Sequence, residues 1–417
     1  MGRIAAVEPL SQTEDGADAG RLGAAPGSRA TRFARDRARA WPQLRSRLRG
    51  HAPEVIAYCA VRAVGLIVLV AMAAHPAHTA SLLTKWDGAF YLKVARHGYD
   101  TALTYRPDGS LVNTDIVFFP LYPFLIAVVG AVIGVVPAAL LLSLAAGIVA
   151  AIAMCGIGEH LYDRRTGVLL AALWGAAPTA IVESMAYPEA LYTAFAALTV
   201  LYLLRERWIA AGVTAFFAGL THPTGVAAAL SVGVCALATL LRPGRERRWA
   251  PAPWIATAMA PLGALAYLAW VGHALGRWDG FSYMEERGWD SSPSLIGVWH
   301  QIVLATTHPL QLGYKAPVYI LGFSLVFALV LTFTRMRRRA LPVLAFAWLS
   351  IALALFIGPT YFHAEGRFLL PDFPLFLPPA VFLARRNVYV AWAVVAACAL
   401  LSAWYGGYLL TIWTHSP

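Results

Sequence analysis

Apolar residues along this chain neither alternate nor mark a single helical face. They gather in near-continuous runs, close to residues 53–75, 117–135, 137–157, 167–185, 188–204, 208–221, 224–241, 252–275, 317–334, 340–358, 369–384 and 388–410. Runs near the ~20 residues that carry a helix across ~30 Å of hydrocarbon predict membrane spans. The expected fold class is therefore an all-α, polytopic membrane protein.

The polar intervals decide which runs cross. Crossing by every run would place Arg164/Arg165 and the later basic clusters outside, while the basic N-terminus stays inside, against the positive-inside bias. Residues 117–135 open with "VFFPLYPF", and two prolines make a poor start for a straight spanning helix. Read as a juxtamembrane or re-entrant segment, this run leaves about eleven crossings. Arg164/Arg165, Arg205/Arg207, Arg242–Arg248, Arg335–Arg339 and Arg385/Arg386 then all face the cytoplasm. Residues 1–50, rich in Ala, Arg, Gly and Pro, read as a disordered basic cytoplasmic tail. A transmembrane domain follows over 51–417, its first outer loop (76–136) carrying juxtamembrane helices. The stretches poor in positive charge, 76–116, 183–191, 221–225, 276–316 and 360–368, come to share the extracytoplasmic face.

Composition supports this picture: 59% of the 417 residues are hydrophobic and 13% charged, with a mean hydropathy of +0.61. The net charge of +11 sits in short clusters between apolar runs and reads as a topology signal, excluding nucleic acid as a partner. Cys59, Cys155, Cys235 and Cys398 lie inside apolar runs without ligand spacing, so neither a disulfide framework nor a zinc site is indicated. There is no glycine-rich phosphate loop, nucleophile elbow or HExxH motif.

Candidate chemistry concentrates on the shared outer face. In "KWDGAFYLKVARHGY", Asp87 opens an amphipathic helix with Tyr91 on the same face; its carboxylate is either a general base or a helix cap, with Trp86 anchoring the interface. Asp115, just before "FFPLYP", is a second carboxylate candidate with the same two readings. Glu183 and Glu189 flank Pro188 where acids are costly unless paired or wet. His222, in the "THPTG" break, is either a phosphate ligand when protonated or a hydrogen-bonded structural histidine. In "FHAEGRFLLPDFP", His363, Glu365 and Arg367 stand before an apolar run, and Arg367 on the outer face suits a lipid phosphate through paired hydrogen bonds. Ionisable residues gathered at one face favour a one-sided site over a conduit, the alternative being a transporter or flippase of polyprenyl-linked lipids.

In order, "KWDGAFYLKVARHGY", "FFPLYPFLI", "ESMAYPEALYTAFAALTVLYLLRERW", "THPTG" and "GRFLLPDFPLF" resemble the PIG-V type of GT-C glycosyltransferases, many of whose bacterial relatives are actinobacterial. The resemblance spans roughly residues 54–410. It implies a GT-C-like bundle, a polyprenyl-phosphate-linked donor carrying mannose, an extracytoplasmic acceptor and inversion at the anomeric carbon. It implies Asp87 as base, with Arg367, His222, Lys85 and His363 toward the donor phosphate. Trp86, Tyr91, Glu183, Tyr187, Glu189 and Glu365 are the substrate-binding candidates. His222 stands where relatives often carry arginine. No metal is obligatory for a stable phosphate leaving group, although a carboxylate-bound divalent ion is compatible with the chemistry.

Overall fold

A computed structural model describes residues 50–241, 250–333, 340–356 and 358–417. The tail expected over 1–50 lies, apart from Gly50, outside the described residues, as do the basic clusters 242–248 and 335–339. The described chain is helical: α1 (Ala52–Met72), α2 (Asp87–His97), α3 (Leu121–Ile133), α4 (Val135–Leu161), α5 (Arg164–Gly175), α6 (Glu189–Leu204), α7 (Trp208–Thr221), α8 (Val226–Leu240), α9 (Pro251–Met259), α10 (Leu262–Ala274), α11 (Gly280–Gly288), α12 (Leu295–Thr307), α13 (Leu312–Phe333), α14 (Leu341–Leu355), α15 (Leu377–Ala384) and α16 (Val388–Thr411).

By length and composition α1, α4, α9 with α10, α13 and α16 can each cross a membrane, and a sixth span forms if the pair 362–368 and 373–384, bent by 73°, counts as one. The expected eleven would need shorter apolar helices, among them α6, α7, α8 and α14, to cross as well. In the apolar run 167–185 the helix stops at Gly175, and Ala180, Ile181 and Val182 remain buried in a 3-10 turn. The run 369–384 likewise holds a 3-10 turn ahead of α15 instead of one straight helix. Within the first outer loop, α2 and α3 have 11 and 13 residues; at 1.5 Å per residue neither reaches across hydrocarbon. Pro120 is the N-cap of α3 and Pro123 lies in its first turn, positions where the missing N–H costs no intrahelical bond.

The bundle centres on α4, whose buried face is small: Ala138, Ala139, Ala146, Gly147, Ala150 and Ala151. It packs closely on α5 and α6, as small residues permit in helix pairs without a hydrophobic driving force from lipid. At the α4–α5 crossing a methyl on Gly158 would collide with the Gly167 backbone, and one on Gly167 with the Cys155 carbonyl.

The ends of the bundle differ chemically. At one end Arg164 pairs with Glu54 (2.8 Å) and Arg165 donates to the Arg386 carbonyl (2.7 Å). The 24-residue α16, ~36 Å long at helical rise, leads from there to the other end, where Lys85 donates to the Leu410 carbonyl (3.4 Å) and Arg367 to Ser416 (3.3 Å).

Candidate active site

The helix carrying Asp87 starts from a strained residue. Trp86 holds φ 52° and ψ −120° at the N-cap of α2, with no side-chain capping bond. A bulky residue with positive φ costs about 1–3 kcal/mol and persists only where its surroundings fix it. Here the fixing contacts come from the 186–187 segment: the Ala186 N–H donates to the Leu83 carbonyl (2.9 Å) and the Tyr187 hydroxyl to the Lys85 carbonyl (3.4 Å). Asp87 therefore does not act as the N-cap; it is the first helical residue, and its carboxylate is aimed elsewhere.

It meets Arg367. Nη1 of Arg367 donates to Asp87 Oδ2 at 2.6 Å, and Nε lies 3.3 Å from Glu189 Oε1 without hydrogen-bond alignment. Arg367 is presented by a single helical turn, Glu365–Phe368, and Glu189 by the first position of α6. The guanidinium sits over the rings of Tyr187 (5.2 Å) and Phe368 (4.7 Å). Arg367 and Glu189 are buried at 5% and 2% exposure, a depth at which a lone charge would be prohibitive and mutual pairing is the remedy.

Asp87 and Arg367 open into a cavity of about 400 Å³, within the range of small-molecule sites. Tyr91 and His222 line it, α11 contributes Phe281, Ser282, Glu285 and Glu286, and Leu353, Phe356 and Phe368 give an apolar wall. Tyr91 is on the face of Asp87, as the spacing predicts, with its ring against Phe118 (5.0 Å) and Tyr122 (5.4 Å). His222 bonds Thr224 through Nδ1 (2.6 Å) and stacks on Tyr192. Burial, reinforced by the Arg367 charge, holds its imidazole down at about 3. Of the two readings of His222, this favours the hydrogen-bonded histidine, which offers the cavity a hydrogen bond.

The other expected residues lie off this cavity. Asp115 is fully buried, pairs with Lys93 (2.8 Å) and accepts from the Asp100 N–H (2.8 Å); it clamps the loop after α2 to the α3 entry. Glu183 belongs to a separate buried group with Tyr58 and Arg62, Arg62 donating to Ser184 (2.9 Å). His363 joins an aromatic cluster with Tyr314, Trp413 and His415 beside a smaller cavity of about 110 Å³. Glu365 is buried with Oε1 lacking a hydrogen-bond partner. The Lys85 ammonium turns to the Leu410 carbonyl and lies 5.5 Å from the Trp86 ring centre.

Of the lining residues that the sequence did not single out, Ser416 and Glu285 bear most on the chemistry. Ser416 reaches Arg367 from beyond α16. Glu285 faces the cavity from α11; burial pushes its carboxyl up to about 7, with Ser291 opposing and the Asp87 charge adding to the rise. The amphipathic string "GFSYMEERGW" carries no feature separating Glu285 from the solvent-facing acids around it. Among the described residues no group of three or more His, Cys, Asp or Glu is arranged to hold a metal ion.

No family model matches the chain, and no curated protein does either. Among solved structures it is similar to ArnT from Cupriavidus metallidurans bound to undecaprenyl phosphate, at 14% identity and a TM-score of 0.51, covering 85% of this chain and 69% of that one. Weaker likenesses are to the Archaeoglobus fulgidus oligosaccharyltransferase in complex with Zn and sulfate (13% identity, TM-score 0.45, covering 86% of this chain and 53% of that one). The same archaeal enzyme, AglB, with an inhibitory peptide and a dolichol-phosphate gives 13% identity and a TM-score of 0.43, covering 86% and 56%. The chain thus spans little more than half the length of the oligosaccharyltransferases. The ArnT likeness establishes the architecture: this chain has a GT-C-like, all-helical membrane fold.

Proposed function

We propose that this protein is an integral-membrane glycosyltransferase of the PIG-V type. It moves a sugar, mannose by resemblance, from a polyprenyl phosphate to an extracytoplasmic glycolipid, lipoglycan or protein acceptor, with inversion. The N-terminal tail is cytoplasmic, and the transmembrane domain over 51–417 holds the site at its outer face. The observation that carries this reading is the Asp87–Arg367–Glu189 group at the edge of a cavity with one apolar wall. A base, a phosphate-matching guanidinium and a surface fit for a hydrocarbon tail stand side by side there. The bound undecaprenyl phosphate of ArnT, a protein of similar fold, agrees with a lipid phosphate as the carrier.

In the reaction the acceptor hydroxyl oxygen bonds to the anomeric carbon while the carbon–oxygen bond to phosphate breaks. The hydroxyl proton passes to Asp87, and the electron pair of the broken bond stays on the phosphate oxygen, where Arg367 offsets the growing charge. Glu189 holds Arg367 in place from its second side. His222, uncharged, contributes a hydrogen bond. The sugar-phosphate bond supplies the free energy, and the chemistry demands no metal, while a divalent ion on the carboxylates is compatible with it.

Asp87→Asn keeps the shape of the side chain and removes its basicity. The variant is expected to insert and fold as the wild type does, with transfer from polyprenyl-phosphomannose in membranes reduced at least about 10²-fold. Wild-type rates in a folded Asp87→Asn protein would remove Asp87 from the mechanism.

A further inference from the structure

Arg367 has three oxygen neighbours, and they are not equivalent. Asp87 Oδ2 (2.6 Å) and Glu189 Oε1 (3.3 Å) are carboxyl oxygens, whereas Ser416 Oγ, 3.3 Å from Nη1, belongs to a hydroxyl. Pulling Asp87 away from the guanidinium would break its shortest contact and leave the buried cation without its anionic partner, which is strongly unfavourable. Releasing the Ser416 hydroxyl gives up one long hydrogen bond from the guanidinium to an uncharged acceptor and a contact with the Tyr187 hydroxyl. Ser416 is also the member that lines the cavity from a segment outside the helices. That segment is tethered just upstream by Trp413, buried and packed on Tyr314 (4.9 Å) and His415 (4.9 Å). The Ser416 hydroxyl can leave Arg367 by turning about its own Cα–Cβ bond, with no movement of that segment.

We propose that the Ser416 hydroxyl is a stand-in on Arg367 for an oxygen of the donor phosphate: the lipid phosphate enters by displacing Ser416 and leaves both carboxylate pairings intact. The inference rests on the function proposed above and adds to it the place on the guanidinium where the phosphate binds. It also explains how one arginine serves two carboxylates and still receives an anion. A charge-assisted bond to phosphate is shorter and stronger than the hydroxyl contact it replaces, so the exchange runs toward the bound lipid.

The test uses the full chain in lipid nanodiscs and undecaprenyl phosphate without a sugar as probe. Ser416→Ala removes the competing hydroxyl and should bind the probe about two- to fivefold more tightly, the equivalent of one long competing hydrogen bond. Ser416→Asp places a tethered anion on Arg367 and should weaken binding more than tenfold. Thr414→Ala, in the same segment but off the cavity, should bind as wild type and controls for disturbance of the chain end. Weaker binding by Ser416→Ala would make the hydroxyl a positioning group, and wild-type binding by Ser416→Asp would take it off the phosphate's path; either result overturns the inference alone. A wild-type protein that fails to bind the probe at all would overturn the proposed function and this inference together.

Discussion

The side chains at the cavity edge show how burial sets chemistry residue by residue. Asp87 and Glu189 both lie against the Arg367 guanidinium, while Glu285, facing the same space, is raised to about 7 by burial. The consequence for stability has a definite sign. Between about pH 4.5, the ordinary value for a glutamate, and about 7, the folded protein holds a proton on Glu285 that the unfolded chain has lost. Stability contributed by this group is therefore complete below pH 4.5, falls as pH rises through that window and levels off above 7. Comparing melting temperatures of wild type and Glu285→Gln from pH 4.5 to 8 checks this. The wild type should lose stability relative to the variant as pH rises, and a difference independent of pH would contradict the assigned protonation. Glu285 was illegible in the sequence because an acid in a polar, amphipathic loop helix looks the same whether its side chain meets water or a cavity. Asp87 and Arg367 stood out in the sequence as an acid and an arginine at the borders of apolar runs, although Asp87 read equally well as a helix cap; their contact at one cavity is visible only in the fold.

At the scale of helices, hydropathy located most of the elements, though not α11 and α12, which lie within the stretch 276–316 read as an outer polar interval. The runs 188–204 and 208–221 became α6 and α7 nearly residue for residue. The run 167–185 became a 12-residue helix followed by a buried 3-10 turn. A window average cannot separate a segment facing lipid from one wrapped by protein. Close helix contact was equally unreadable, since glycine in a membrane helix is common. The α4–α5 crossing supplies a test. Gly158→Ala and Gly167→Ala each drive a methyl into backbone that cannot rotate aside, and overpacking of this kind costs about 1–3 kcal/mol. Both variants should unfold at lower temperature or denaturant concentration than wild type. Gly322→Ala, where nothing lies within 4 Å of the added methyl, should not.

For the whole molecule, the two chemically distinct ends are the feature that any function must respect. Arg164, Arg165 and Arg386 gather at one end, and Lys85, Arg367 and Ser416 at the other, separated by the full length of α16. With the arginine-rich end inside, as the charge bias directs, cysteines placed at Ser110 and Arg165 in a background lacking the four native cysteines report on opposite compartments. Ser110→Cys should react with an impermeant thiol reagent in intact cells, and Arg165→Cys only after permeabilisation. The reverse pattern would turn the cavity toward the cytoplasm and end the proposed use of an extracytoplasmic acceptor.

The 73° bend between residues 362–368 and 373–384 bears on how the chain is assembled. A kinked segment frees backbone carbonyls that hydrocarbon cannot solvate. Two of them are met by side chains made about two hundred residues earlier: Trp174 donates to the Leu370 carbonyl (3.1 Å) and Thr179 to the Gly366 carbonyl (2.8 Å). Both donors have therefore already been synthesised when the segment that presents Arg367 leaves the ribosome.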